Sequence, residues 1–131
     1  MPELTLTLLQ GTYAIHRLPA HAAVPEAVLA SPFFAIMRTA EELSMVAPET
    51  VELPAERTEA GWVCFKVEAV LDLSLVGILA RLATVLAAAQ VAIFALSSFN
   101  TDYLLVKREH FATAADALVA AGYQIIPAGQ E

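Results

Sequence analysis

The chain has 131 residues, of which 58% are apolar and 16% charged, enough to bury the core of one domain or two very small ones and unlike a disordered chain. Its formal net charge is −7, and Lys107-Arg108 is the only adjacent pair among its seven Lys and Arg residues, which argues against an electrostatic nucleic-acid footprint. The single cysteine, Cys64, rules out an intrachain disulfide, favours a reducing compartment and reads as a buried, inert thiol in a strand.

In chain order, Leu4 to Leu9 alternates Leu and Thr as a strand does, and Gln10-Gly11 turns into a second strand, Tyr13 to Leu18. The opening residues lack the basic and long apolar regions of a signal peptide. Pro19 to Val24 reads as a loop, and Pro25 is well placed to start a short helical piece. Phe33 to Arg38 is a strand candidate. Thr39 ahead of Glu41-Glu42 predicts a capped single helical turn. Leu43 to Val46 follows as a strand closed by Pro48. Glu49 to Gly61, with Glu49, Glu52, Glu56, Glu59 and Pro54, reads as a solvated connector between two halves.

The second half is cleaner. Trp62 to Val70 predicts a strand. Leu75 to Ala89 predicts a helix with an apolar stripe at Leu75, Ile78, Leu79, Leu82, Leu86 and Ala89, and Ser74 is its natural N-cap. Arg81, Gln90 and Gly77 interrupt the apolar run from Leu73 to Leu96, so a core helix followed by a core strand, Val91 to Leu96, fits better than a membrane span. Tyr103 to Val106 pairs back on that strand. A helix over His110 to Ala121, with Gly122 as its C′ residue, precedes a last strand, Tyr123 to Ile126. The order β-α-β-β-α-β is that of a ferredoxin-like split motif. The first half holds similar strands and weaker helices, a degenerate copy of the same unit. The expected fold is therefore α+β, with two tandem modules, 1-60 and 61-131.

Two polar features stand out in the second half. Glycine in a helix costs about 1 kcal/mol relative to alanine, so Gly77 in the first turn reads either as close packing or as an approach for an anion to the free amides there. Asp72 and Ser74 just ahead could cap the helix or contact a ligand amine. The run Ser97-Ser98-Phe99-Asn100-Thr101-Asp102 is either a plain hairpin turn or part of a site. In the second reading Asp102 is the counter-charge for an ammonium or guanidinium group. His16, His21 and His110 show no metal-ligand spacing. No Ser-His-Asp ordering, P-loop or dinucleotide fingerprint is present. No catalytic residue, metal or cofactor is expected, and the chain is not read as an enzyme.

The residues Gly11 to Ile15, Arg17-Leu18, Arg38-Thr39 with Glu42 to Val46, Gly61-Trp62, Leu71 to Ala80, Ile93 to Ala95 and Ser97 to Lys107 carry a resemblance that spans most of the chain. With them the sequence resembles the ACT-domain proteins, specifically small two-ACT bacterial proteins related to the CASTOR-type arginine sensors. The resemblance implies two ACT-type modules packed side by side, with an amino acid bound at the seam between them. It implies that Ser44, Met45 and Val46 face the ligand backbone and that Asp72, Leu73, Ser74, Gly77 and Ile78 supply further amides. It also implies that Ser98, Phe99, Thr101 and Asp102 line the side-chain end, with Asp102 facing a basic group such as that of lysine or arginine. Two departures are visible: Glu68-Ala69-Val70 stands where relatives carry Gly-Pro ahead of the loop, and Ala27 where an aromatic residue is common. The expected function is a cytoplasmic regulatory sensor. The expectation leaves room for a regulated protein partner and a homodimer, and includes neither nucleic acid nor membrane. The alternative is a structural or adaptor module without a small-molecule ligand.

Overall fold

The computed structural model describes residues 4–68 and 77–129. Along the chain lie β1 (Thr5–Leu8), β2 (Tyr13–Leu18), α1 (Glu26–Leu29), β3 (Ala35–Arg38), β4 (Leu43–Pro48) and β5 (Arg57–Val67). They are followed by α2 (Ile78–Ala88), β6 (Phe94–Ser97), β7 (Asp102–Lys107), α3 (Phe111–Ala120) and β8 (Gln124–Pro127). The chain divides into two compact units. One is Gly11–Trp62; the other takes the chain up to Gln10 and from Val63 onward. The boundary expected at 60/61 falls inside β5, close to the crossing at 62/63, and the first strand goes with the C-terminal unit.

In the N-terminal unit the strands lie in the order β3-β4-β2-β5, and every pairing is antiparallel. Alternation along the strands sends Leu18, Leu43, Met45 and Ala47 to one face, where they form a core with Val28 of α1. Ala27, where the resemblance leads one to expect an aromatic ring, is exposed, so its size costs this core nothing. The Thr39–Glu42 segment is a hairpin loop rather than the expected helical turn. The Thr39 N–H donates to the Glu42 carbonyl at 2.9 Å, and the Thr39 hydroxyl accepts from the amides of Glu41 and Glu42 at 3.1 and 3.2 Å. The same residue caps, but four residues joining two paired strands leave no room for a helix.

The Glu49–Gly61 stretch is only partly a solvated connector. Glu52, Pro54 and Glu56 are exposed, whereas Val51, Leu53 and Ala55 pack on the core, and β5 begins at Arg57. Cross-strand pairing with β2 extends the strand back through these polar residues, which their composition alone does not reveal.

The C-terminal unit keeps the order read from the sequence, β5-α2-β6-β7-α3-β8. The N-terminal strand alters its sheet, because β1 pairs antiparallel with β5 (Leu6 opposite Val67) and parallel with β8 (Leu6 opposite Ile125). β7 pairs with both β5 and β6. β1 thus leads into β2 through Gln10-Gly11 without pairing with it. It has a partner on both edges, and Thr7, on the face opposite Leu6, is also buried. Leu82 and Leu86 of α2 and Ala114 and Leu118 of α3 close over Leu6, Val63, Phe65, Val67, Leu104 and Val106. The Phe65 and Phe111 rings stack at 5.9 Å. Gly122, with φ +102°, follows α3 as expected.

β5 contains a bulge. Tyr13 lies opposite Trp62 and Ile15 opposite Glu59, so β5 carries one residue more than β2 across this stretch. Gly61 takes it up with φ +81°, and its N–H donates to the Glu49 carboxylate at 2.7 Å. A Cβ at Gly61 would meet nothing within 4 Å, so only backbone strain opposes a side chain. Gly61→Ala is expected to lower stability in urea unfolding by about 1–2 kcal/mol, the cost of a left-handed backbone for a residue with a Cβ. Leu86→Ala, by contrast, leaves a core cavity and should lower it by about 2–5 kcal/mol.

Candidate functional site

The hairpin joining β6 to β7 brings most of the polar candidates together. Its register sets Ser97 opposite Asp102, which leaves Ser98 to Thr101 as the loop. The Ser97 hydroxyl donates to Asp102 Oδ1 at 2.7 Å. The Ser98 amide donates to the Thr101 carbonyl at 2.8 Å, and the Ser98 hydroxyl accepts from the Thr101 amide at 3.2 Å. The Thr101 hydroxyl donates to the Val67 carbonyl at 2.7 Å, and Thr101 is only 4% exposed. This last bond anchors the loop to the end of β5. Phe99 stands 80% exposed in the loop.

Asp102 is half-buried. Among the described residues no Lys, Arg or His forms an ion pair with it. The plain-turn reading describes the loop's own bonds. Its hydrogen bonds are those of an ordinary structured turn, yet they leave the carboxylate oriented by a neutral hydroxyl and without a cationic partner. Such a group accepts charge-assisted hydrogen bonds from an ammonium or guanidinium.

Gly77 is the N-cap of α2, with φ +88° and no side-chain cap, and its carbonyl accepts the first helical bond, from the Arg81 amide at 2.9 Å. It was expected inside the first turn of a helix capped by Ser74. The left-handed backbone instead stops the helix there, and that conformation, rather than close packing, accounts for the glycine: a Cβ would meet nothing within 4 Å. Ile78 opens the helix and packs against the core. Asp72, Leu73, Ser74 and the expected helix start at Leu75 lie outside the described residues.

In the N-terminal unit Met45 and Val46 are buried, and Met45 belongs to the core. Of the three β4 candidates only Ser44 is half-buried. It lies in register with Met37 on one side and Arg17 on the other. Arg17 forms exposed ion pairs with Glu42 at 3.5 Å and Glu56 at 3.7 Å, each worth little at a surface.

Sequence reasoning missed two polar side chains that the structure singles out. Ser97 was read only as part of a polar run, although a four-residue loop between paired strands would have set it opposite Asp102. His16 was considered only as a metal ligand. Its even spacing with Ala14 and Leu18 was the available sign that it points inward. Among the described residues no group of three or more His, Cys, Asp or Glu side chains could hold a metal ion. No helix among them is long and apolar enough to cross a membrane.

Cys64 is fully buried, and burial pushes its thiol up to about 12. Native protein should therefore leave a thiol reagent unreacted at pH 8, with reaction appearing only on unfolding in denaturant. Thr101→Val removes the hydrogen bond to the Val67 carbonyl from a buried position. It should cost about 1–3 kcal/mol in chemical denaturation.

Comparison with known proteins gives this geometry a context. A sequence profile described as an ACT domain matches residues 57–120, a span that contains the Ser97–Asp102 hairpin, and a profile for an N-terminal domain matches residues 11–51. No curated protein matches the chain. Among solved structures, protein Atu0741 from Agobacterium tumefaciens is 32% identical, with a TM-score of 0.88, and the alignment covers 100% of this chain and 98% of that one. VC0802 from Vibrio cholerae, described as a possible transport protein of unknown function, is 20% identical over 86% of this chain and 85% of its own, with a TM-score of 0.67. The allosteric aspartate kinase of Clostridium acetobutylicum is 12% identical, with a TM-score of 0.61; the match covers 88% of this chain and 33% of the kinase. The last two likenesses concern the fold alone.

Proposed function

We propose, for a chain that belongs to the same family as Atu0741 and matches the ACT domain over residues 57–120, a regulatory role exercised by binding an amino acid. ACT domains in general suggest such a role. The finer reading is that this chain is a non-catalytic cytoplasmic sensor whose ligand is a basic amino acid, lysine or arginine. It further takes each unit as a ferredoxin-like module, the N-terminal one having lost its second helix to the segment before β5.

The observation that carries the ligand assignment is Asp102. Its carboxylate, steered by the Ser97 hydroxyl at 2.7 Å and unpaired with any cation among the described residues, suits the charged end of a lysine or arginine side chain. In this reading Ser98 and Thr101 shape the loop and Phe99 covers the aliphatic part of the ligand. Ser44, Met45 and Val46, the segment Asp72-Leu73-Ser74, and Gly77 with Ile78 are the candidates for contacts to the ligand's amino-acid group. Met45 and Val46 could contribute only through their backbone.

Thermal-shift or calorimetric screening of the twenty amino acids tests the proposal. A ligand at a hundred times its dissociation constant should add about 2.7 kcal/mol of stability. Asp102→Asn should abolish the response to lysine and arginine while leaving the fold intact. An amino-acid panel that shifts nothing refutes the sensor reading, and an unchanged lysine or arginine affinity in the Asn variant refutes the role of Asp102.

A second reading, an adaptor that engages a protein partner and no small molecule, has one observation in its favour. Phe34, Ile36 and Met37, the last 67% exposed, cluster at β3, which pairs only with β4 among the described strands. An amino-acid response that survives Ile36→Lys and Met37→Lys would decide for the sensor.

A further inference from the structure

His16 takes no part in the reading above, yet the fold buries it. It stands on β2 opposite Met45 of β4 and Thr58 of β5, on the face that Ala14 and Leu18 share, and is only 5% exposed. Nδ1 lies 2.9 Å from the Thr58 hydroxyl. Nε2 is buried and finds no hydrogen-bond partner among the described residues. A neutral imidazole tolerates this arrangement, because the hydroxyl can donate to a bare Nδ1 or accept from a protonated one. A protonated imidazole makes both nitrogens donors and adds a charge, which burial without a counter-ion penalises strongly.

Among the described residues no carboxylate faces the ring. The described side chains on this face are Ala14 and Leu18 of β2, Leu43, Met45 and Ala47 of β4, Val28 of α1, Val51, Leu53 and Ala55 of the segment before β5, the exposed Thr58 of β5 and, opposite Leu43, Arg38 of β3. None of these carries a carboxylate. Arg17, Arg57 and Glu59 alternate to the opposite face, and Arg17 is paired with Glu42 and Glu56. Glu26, Glu49, Glu52 and Glu56 are exposed, and Arg38 of β3 donates to the carbonyls of Ala20 and Ala22.

We propose that His16 is an acid-sensitive latch of the N-terminal unit, whose protonation releases the pairing of β2 with the first half of β5. The Nδ1–Thr58 bond ties these strands together two residues from the bulge at Ala60-Gly61, where their ladder is already interrupted. Burial holds the imidazole below its ordinary value of 6.5. An opened chain therefore binds the proton near pH 6.5, and the closed one only at lower pH. The stabilisation is complete above that value and is lost as the pH falls below it.

Amide hydrogen exchange of the full chain, followed by NMR and expressed as protection factors, tests the latch. Protection at Ile15 to Arg17 and at Thr58-Glu59 should fall between pH 7.5 and 5.5, up to the limit of about tenfold that one proton bound near pH 6.5 in the opened chain allows over this range. Protection in the β1–β8 pairing should hold, and H16Q should remove the pH dependence. Unchanged protection at Ile15 to Arg17 overturns the proposal, as does an equal loss in H16Q. Should H16Q fail to fold, titration of the His16 ring in the native chain decides: a midpoint below 6.5 with parallel loss of protection supports the latch, and a midpoint at or above it overturns it.

Discussion

The structure depends on the way β5 pairs. This strand is eleven residues long, about twice the usual length. Its first half belongs to one unit and its second half to the other. Because side chains alternate strictly along a strand, a single added residue switches which positions face a given side. The bulge at Ala60-Gly61 does this. Before it the exposed Thr58 lies on the same face as His16 and Met45; after it the odd positions Val63, Phe65 and Val67 enter the C-terminal core. One continuous strand can thereby pair with β2 in one register and fill the C-terminal core in another.

The same strand supports the polar hairpin. Val67 ends β5, and its carbonyl holds the Thr101 hydroxyl at 2.7 Å. The β6–β7 loop is consequently fixed by a bond to the sheet as well as by its own turn. Support of this kind fixes the position of the loop that carries the Ser97–Asp102 bond. The two glycines with structural roles here, Gly61 and Gly77, both take a left-handed backbone: one bulges a strand, and the other caps the start of a helix.

The elements of the C-terminal half were legible because their patterns are strong. The stripe through Leu82 and Leu86 is helical, the run Val63-Phe65-Val67 is a strand, and Gly122 ends a helix. Weaker patterns failed for identifiable reasons. Thr39 ahead of Glu41-Glu42 carries the same capping chemistry in a hairpin loop as at a helix start. Arg57 to Gly61 are polar enough to pass for a connector, and only their pairing with β2 makes them a strand. The polar run Ser97 to Asp102 was visible, but the Ser97–Asp102 bond depends on register, which residue types alone do not specify.

The sequence by itself determined the class of the fold, the order of the elements in the C-terminal half and the concentration of polar groups in one turn, since local propensity and periodicity act over a few neighbouring residues. Only the tertiary structure decided that β1 joins β8 and β5 rather than β2, because such pairing links residues far apart in the chain, Leu6 with Val67 and with Ile125. It also decided that Met45 is core, that Gly77 precedes its helix and that His16 is enclosed with one nitrogen unpaired. Each of these follows from which strands meet and in what register, and that is settled by long-range burial.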